Sequence, residues 1–482
     1  MTRFQSPRAG VWLTAAALIL LCGVAAAPLL TGQMPETADG AIHLYRLPIL
    51  DHAFKDGSLF PRYPVATVYG YGSPLFSYYA PFSLYPMHVI HLFGVSYLNS
   101  WLIGMALYIV IGAGGAYLLG RTWGGGVVGV VAAAGFVYSP YFIYDTLWRG
   151  TTSETAALAL LPFVLWSIKT QADHPSRRTF IAVILSLVLF IPMHNITTVH
   201  GGALIGVYAA FVAFTAKERV HASLRVFGAL ALGVLLATFF WYPAIRETPN
   251  IKIDAITAAL PDIDVTRNLI SAWSVFHAPY PADPSLQQPP FAIALGLPQL
   301  AFGILGLITS RKHPIRIRLL LILGTSGIAL TVFMLTPASA AIWRAVPFIG
   351  YSQYPTRLLG IASLLLAVVA GFGVNHLTAR ALRLNGKMVR VAVPILIFVL
   401  FALPLTVRTV LPEHNPQSVV DALDFERESG FVGSSSFGEY VPIWTAEYPD
   451  TTTLRDQYAA HTFISRLREM DGVVVNSESW RN

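Results

Sequence analysis

Cysteine is almost absent from this chain: there is one in 482 residues, Cys22, inside the first apolar run. That excludes a disulfide framework and any cysteine-based metal site. Charge is scarce as well. Asp, Glu, Lys and Arg make up 12% of the residues, against about a quarter in soluble globular proteins. No Walker A loop, no glycine-rich dinucleotide fingerprint and no HExxH occurs, so ATP hydrolysis and zincin chemistry lack their residues. There is no convincing inverted repeat of hydrophobic segments either, which weighs against a secondary transporter.

What the chain has is apolar runs. It is 55% hydrophobic with a mean hydropathy of +0.58. The runs are about 17–22 residues long, the length that crosses a bilayer as a helix. Candidate spans are 11–31, 98–119, 124–143, 154–170, 179–194, 199–216, 225–243, 291–310, 317–336, 357–378 and 390–411. The first begins after Arg3 and Arg8 and runs on through Pro28, which favours an uncleaved helix over a signal peptide. Segment 76–96 is apolar but interrupted by Pro81, Pro86, His88 and His91, and is expected to lie along the interface. The expected fold is all-α and polytopic, with about eleven spans over residues 1–411 and a small mixed tail at 412–482.

Charge sets the expected topology. With eleven spans and a cytoplasmic N-terminus, the inner segments hold 17 of the 32 Lys and Arg against two acids, Asp173 and Glu218. The outer segments are then net acidic, although the whole chain is +7. The basic excess faces anionic inner-leaflet lipid, so nucleic acid is not an expected partner. This places the protein in the plasma (inner) membrane with its tail outside the cytoplasm. The outer segments carry the chemistry: a first loop at 32–97, a short one at 144–153, a long one at 244–290, another at 337–356, and the tail.

The first loop is dense in polar groups. Asp39 and His43 stand four apart, with Arg46 three further on, one face of a helix starting near Ala41. Asp39 reads either as a helix cap or as a base that deprotonates an acceptor hydroxyl at the membrane surface. His43 and Arg46 would then contact phosphate or sugar hydroxyls. Arg62 follows, ahead of YGYGSPLFSYYAP. In the second loop Asp145, Arg149 and Glu154 flank Gly150. Glu154 is either a first-turn helix acid or part of the site, and Arg149 suits a phosphate fork. His194 and Asn195 sit at a span end, where unpaired polar groups cost free energy. Trp241 is either an interfacial belt residue or a platform for a sugar ring or prenyl chain. Gln353 and Arg357 open another span, Arg357 either snorkelling or binding a second phosphate oxygen.

Together these residues resemble the GT-C type of integral membrane glycosyltransferase. The first outer loop of that superfamily holds the catalytic aspartate, and Asp39 stands at its position; Asp145 or Glu154 matches a further acid in the second loop. More narrowly, the chain is similar to a bacterial multi-pass subgroup labelled as related to 6-pyruvoyl-tetrahydropterin synthase. The shared pattern reads here Asp39-Gly40, His43, Tyr45-Arg46, Asp56-Gly57, Pro61-Arg62, Tyr71-Gly72-Ser73-Pro74, Tyr78-Tyr79, Arg149-Gly150, Glu154, His194-Asn195, Trp241, and Gln353 through Arg357. The soluble pterin chemistry in that label has no basis in these residues.

The resemblance implies transfer of a sugar, of hexosyltransferase type, from a polyprenyl-phosphate carrier to a glycan, lipid or protein acceptor. Asp39 and Glu154 would be catalytic, and the other residues named would bind substrate. Carboxylates beside phosphate admit Mg²⁺ or Mn²⁺ as a cofactor, and arginine alone would also serve, so both alternatives stand. The resemblance also leads one to expect a larger outer C-terminal part than 412–482. A lipid or oligosaccharide transporter, or a non-catalytic membrane protein, is the alternative.

Overall fold

A computed structural model describes residues 7–254, 264–278, 293–346, 349–379, 384–436, 438–445 and 452–460. The rest of the long loop 244–290, the tail beyond 460, and Arg380 and Arg383 lie outside the described residues. The architecture is helical, as the apolar runs require. Among the described residues the one sheet is a pair of two-residue strands, Met34–Pro35 antiparallel to Val410–Leu411. It ties the exit of the first span to the exit of the last.

Among the described residues eight helices are long and apolar enough to cross a membrane: Thr14–Thr31, Tyr97–Val137, Thr152–Asp173, Asn195–Phe214, Arg219–Leu236, Ile315–Met334, Pro355–Ala379 and Met388–Thr406. The second contains two of the expected spans. Its 41 residues would reach about 60 Å if straight, twice a bilayer core. The chain turns back at Gly125, whose φ of 83° is open to glycine. The two limbs then close on each other through glycine: a Cβ on Gly120 would stand 2.9 Å from the Val128 carbonyl, and one on Gly129 2.8 Å from that of Tyr117. The remaining two expected spans correspond to shorter helices, Arg177–Phe190 and Leu297–Ile308. Glycine also seats Leu297–Ile308 on Leu358–Ala379, since a Cβ on Gly373 would meet the Phe302 carbonyl at 2.0 Å. Helices in lipid associate through such close backbone approach, because the hydrophobic effect no longer drives them together. Segment 76–96 is broken into short helices, Leu75–Tyr78 and Tyr85–Leu92, too short to cross.

The first loop forms a helix at Gly40–Lys55 that is buried on nearly all sides. The tail covers it. Helix Val419–Ser429 begins with a capping box formed by Ser418 and Asp421, and its Phe425 stacks flat on Tyr45, ring centroids 4.1 Å apart. Glu426, 3% exposed, accepts a hydrogen bond from the Tyr69 N–H at 3.1 Å and another from the Gly433 N–H. Tail and first loop are thereby one layer over the helix ends.

Burial pushes the Glu426 carboxyl up from 4.5 to about 7. A raised folded-state value means the protonated form is favoured in the folded protein, so its contribution is complete below about pH 4.5 and is lost as pH rises through 7. Melting of the nanodisc-embedded protein should show wild type losing up to about 3 kcal/mol over that range, while Glu426→Gln, permanently neutral, loses none of this component. Equal pH slopes in the two proteins would refute the assignment.

Candidate active site

The site is built at the end of the bundle where helix Thr152–Asp173 begins. Ahead of it, Tyr144–Arg149 winds as a π-helix and stops at Gly150, φ 67°. Single π turns recur at functional sites because they re-aim side chains. Gly150 has a second role. A Cβ there would lie 3.0 Å from the backbone nitrogen of Gly40, so only glycine lets the first loop come this close. The approach is fixed by two backbone bonds, Ala38 N–H to the Trp148 carbonyl at 3.0 Å and Asp39 N–H to the Arg149 carbonyl at 2.7 Å.

Asp39 is thus brought face to face with Arg149. It occupies the N-cap position of helix Gly40–Lys55, yet its side chain makes no capping hydrogen bond. The carboxylate turns instead toward Arg149, 3.4 Å away, and is one-third exposed. Behind it lies a buried ion network. Arg149 donates through one nitrogen to Asp145 and to Glu154, both at 2.9 Å. Arg357 donates to the same Glu154 oxygen at 2.6 Å, and its other nitrogen to the Gln353 side chain at 2.9 Å. Tyr141 donates to the remaining Glu154 oxygen at 2.8 Å. Thr151 and Thr155 donate to Asp145 at 2.7 and 3.2 Å. Gln353 holds its position with φ at +64°, an uncommon conformation for a residue other than glycine.

Two features of the network bear on chemistry. Burial, and then the charge of Glu154, hold the Asp145 carboxyl above the usual carboxylate range. In addition, the Nε atoms of Arg149 and Arg357 are buried and have no hydrogen-bond partner among the described residues. Unsatisfied buried donors are costly and rare.

Beside the network runs a second chain of contacts. His43 is within 3.1 Å of the Tyr79 hydroxyl, which accepts from Ser153 at 3.0 Å. Burial, and then Arg46, hold the His43 imidazole below its usual range, so it is neutral. Arg46 lies 3.6 Å over the Tyr79 ring and donates to the Ser434 carbonyl at 3.0 and 2.5 Å. The tail therefore occupies the guanidinium expected to bind phosphate or sugar.

Of the other residues singled out by sequence, His194 caps helix Asn195–Phe214 through Thr197, 2.8 Å from its Nδ1. Asn195 donates to the Tyr78 carbonyl at 2.6 Å and pins the first loop. Arg62 and Trp241 are not drawn into the network. Arg62 pairs with Glu247 at 2.6 Å, both partners more than one-third exposed, and Trp241 donates to the Val234 carbonyl of its own neighbourhood. Sequence reasoning missed Tyr141, Thr151, Thr155, Tyr79 and Ser153. The run Thr151-Thr152-Ser153-Glu154-Thr155 was the available signal, since hydroxyls packed around one acid at a span entry need partners.

As to a metal, the carboxylates near the site are engaged by guanidinium and hydroxyl donors, and among the described residues no group of three or more His, Cys, Asp or Glu is placed to hold one. The donor set does not fit a bound divalent cation, and no step below runs through one.

Residues 76–413 match the family described as 6-pyruvoyl-tetrahydropterin synthase related domain, membrane protein. The chain belongs to this family. No curated protein matches it in sequence. In structure, this family member is similar to the arabinofuranosyltransferase AftD from Mycobacteria, with a TM-score of 0.55 and 18% identity over 86% of this chain and 28% of that one. It is also similar to ArnT from Cupriavidus metallidurans, solved bound to undecaprenyl phosphate, with a TM-score of 0.51 and 14% identity over 95% and 90% of the two chains. The present chain thus spans little more than a quarter of AftD. At these identities the likeness is one of fold, and the fold is GT-C-like.

The network makes a sharp stability prediction. Glu154→Ala leaves two buried guanidiniums without their shared partner and should cost about 3–5 kcal/mol, read as a fall in melting temperature in nanodiscs. Arg62→Gln breaks a half-exposed pair and should cost under about 1 kcal/mol. Comparable losses in the two variants would mean that Glu154 does not organise the arginines.

Proposed function

We propose that this chain is an inverting glycosyltransferase that takes a sugar from a polyprenyl-phosphate carrier at the extracytoplasmic face. The observation that supports it is one partly exposed carboxylate, Asp39, set against the buried guanidinium of Arg149, which shares Glu154 with that of Arg357, each Nε being without a hydrogen-bond partner among the described residues. ArnT, which shares the fold, was solved with undecaprenyl phosphate. The orientation, site outward, rests on the distribution of Lys and Arg.

The reaction follows from the roles the groups can fill. The acceptor hydroxyl oxygen attacks the anomeric carbon as the bond from that carbon to the carrier phosphate breaks. The hydroxyl proton passes to Asp39, and the electron pair of the broken bond leaves on phosphate. Arg149 and Arg357 stabilise that developing charge through donors already fixed in place. The Asp145 carboxyl, held above the usual carboxylate range by burial and then by Glu154, carries less of the network's negative charge, which favours a phosphate beside Arg149 and Arg357. Glu154 acts as a positioning residue: both its oxygens are occupied and it is 1% exposed. His43, neutral and tied to Tyr79, orients rather than titrates.

Asp39→Asn should lower turnover by about 10²–10⁴-fold with expression and melting unchanged. Mass spectrometry of co-purifying lipid should find the polyprenyl-phosphate sugar enriched on this variant over wild type, since the donor binds but is not consumed. Equal turnover would remove Asp39 as the base; ordinary phospholipid alone on both proteins would favour a transporter or a non-catalytic role.

A further inference from the structure

The motif Tyr69-Gly70-Tyr71-Gly72-Ser73-Pro74 has no part in the ion network, yet it carries the most unusual backbone in the chain. Val68, Tyr69, Gly70 and Gly72 all have positive φ, at 50°, 58°, 97° and 89°. For a β-branched residue such as Val68 this is a true outlier, and strain of this kind persists only where surrounding structure imposes it. Here the surroundings are the tail. Val68 and Tyr69 pack with Val432 and Val441 in a small cluster of their own, and Glu426 holds the Tyr69 N–H.

The strained turn forms one wall of a cavity of about 230 Å³, lined by Tyr63, Tyr71, Gly72, Pro442, Trp444 and Thr445 among others. The opposite wall, 440–445, is held by the long loop: Lys252 N–H to the Val441 carbonyl and Ile443 N–H to the Asn250 carbonyl, each 3.0 Å. The Lys252 ammonium donates to the Thr445 carbonyl at 2.6 Å. Three segments far apart in sequence therefore meet to make one hollow. Gly72 is required there, because a Cβ would stand 2.5 Å from the Tyr63 ring, whose hydroxyl donates to the Gly72 carbonyl at 3.1 Å.

Tyr71 and Trp444 stand 48% and 70% exposed at this hollow, an arrangement that burial would favour. Among the described residues its lining side chains are uncharged, which favours a neutral occupant over a phosphate. Its volume is below the ~300–1,000 Å³ of sites for drug-sized ligands, which favours an occupant smaller than a prenyl chain. A neutral ring with a C–H face and a hydroxyl rim fits: the faces of Tyr and Trp are negative and attract such edges, while Thr445 and the tyrosine hydroxyls meet the rim. The hollow adjoins the candidate site through Tyr440, next to Val441, which stacks on Tyr78 with centroids 5.8 Å apart and planes within 1°.

We infer that this hollow is an acceptor subsite that binds a neutral pyranose ring between Tyr71 and Trp444. The inference rests on the glycosyltransferase reading for the word acceptor, and on the hollow alone for the sugar. The test is saturation-transfer NMR on the full chain in lipid nanodiscs, free of sugar-headed detergent, with methyl α- and β-hexopyranosides as probes. Wild type, Trp444→Phe and the control Trp273→Ala, an exposed tryptophan elsewhere, should transfer saturation to ring-face protons. Trp444→Ala and Tyr71→Ala should bind about tenfold more weakly, and because both side chains are exposed these variants should melt like wild type. No transfer in wild type, or equal transfer in Trp444→Ala, overturns the subsite. Lipid mass spectrometry on the same preparations separates the two readings: donor lipid without saccharide binding overturns only the subsite, and saccharide binding without donor lipid overturns only its role in transfer.

Discussion

The ionised carboxylate of Glu154 is the group on which the site depends. An isolated charge removed from water is stable only if paired and fully hydrogen-bonded, and Glu154, at the mouth of a membrane helix, meets that condition through Arg149, Arg357 and Tyr141. These donors come from two separate parts of the chain. Satisfying one acid therefore fixes the short helix Pro140–Ile143 and the π turn that follows it against the entrance of helix Leu358–Ala379. The network is rigid, because Glu154 is fully occupied, and among the described residues the buried Nε atoms of Arg149 and Arg357 have no hydrogen-bond partner.

Backbone, more than side chain, places Asp39. The contact between Gly150 and Gly40 allows two loop N–H groups to bond to carbonyls of the π turn, and Asp39 inherits its position from that register. This explains why an aspartate at an N-cap position does not cap. Its carboxylate turns instead to Arg149, 3.4 Å away, where both partners carry charge. The outcome is a carboxylate held by a guanidinium on one side and open to solvent on the other, while its neighbours Asp145 and Glu154 are sealed.

Much of this was legible in the sequence, for reasons that can be named. The apolar runs located the helices because the bilayer sets their length, and the division of Tyr97–Val137 was legible because Arg121 separates the runs 98–119 and 124–143, although the turn itself falls at Gly125, inside the second run. Asp39, Asp145, Arg149, Glu154, Gln353 and Arg357 could be grouped because ionisable residues at span ends are costly without partners. The hydroxyl donors Tyr141, Thr151 and Thr155 were not singled out, since such residues are commonplace in helices and only the tertiary fold points them at an acid. Arg62 and Trp241 carried a strong local signal that the fold does not use at this site. The docking of the tail was illegible for a different reason. Helix Gly40–Lys55 is buried nearly all round, so it has no polar stripe to mark a solvent face and no apolar stripe to mark a partner.

That docking changes what the first loop can be. Left to itself, a loop layer over helix ends would be mobile, and a base carried on it would visit many positions. Here Arg46 is held by the Ser434 carbonyl and by the Tyr79 ring, Tyr45 by Phe425, and Tyr69 by Glu426. The contacts with Ser434, Phe425 and Glu426 join the loop that carries Asp39 to the same stretch of tail, and that stretch continues into the wall of the aromatic hollow. Pre-organisation matters most for a reaction in which geometry does the greater part of the work. On the proposed reading, a tail that holds the loop carrying Asp39 and also shapes the space beside it would couple acceptor placement to base placement through one piece of structure, while the arginines anchored by Glu154 would bear the charge.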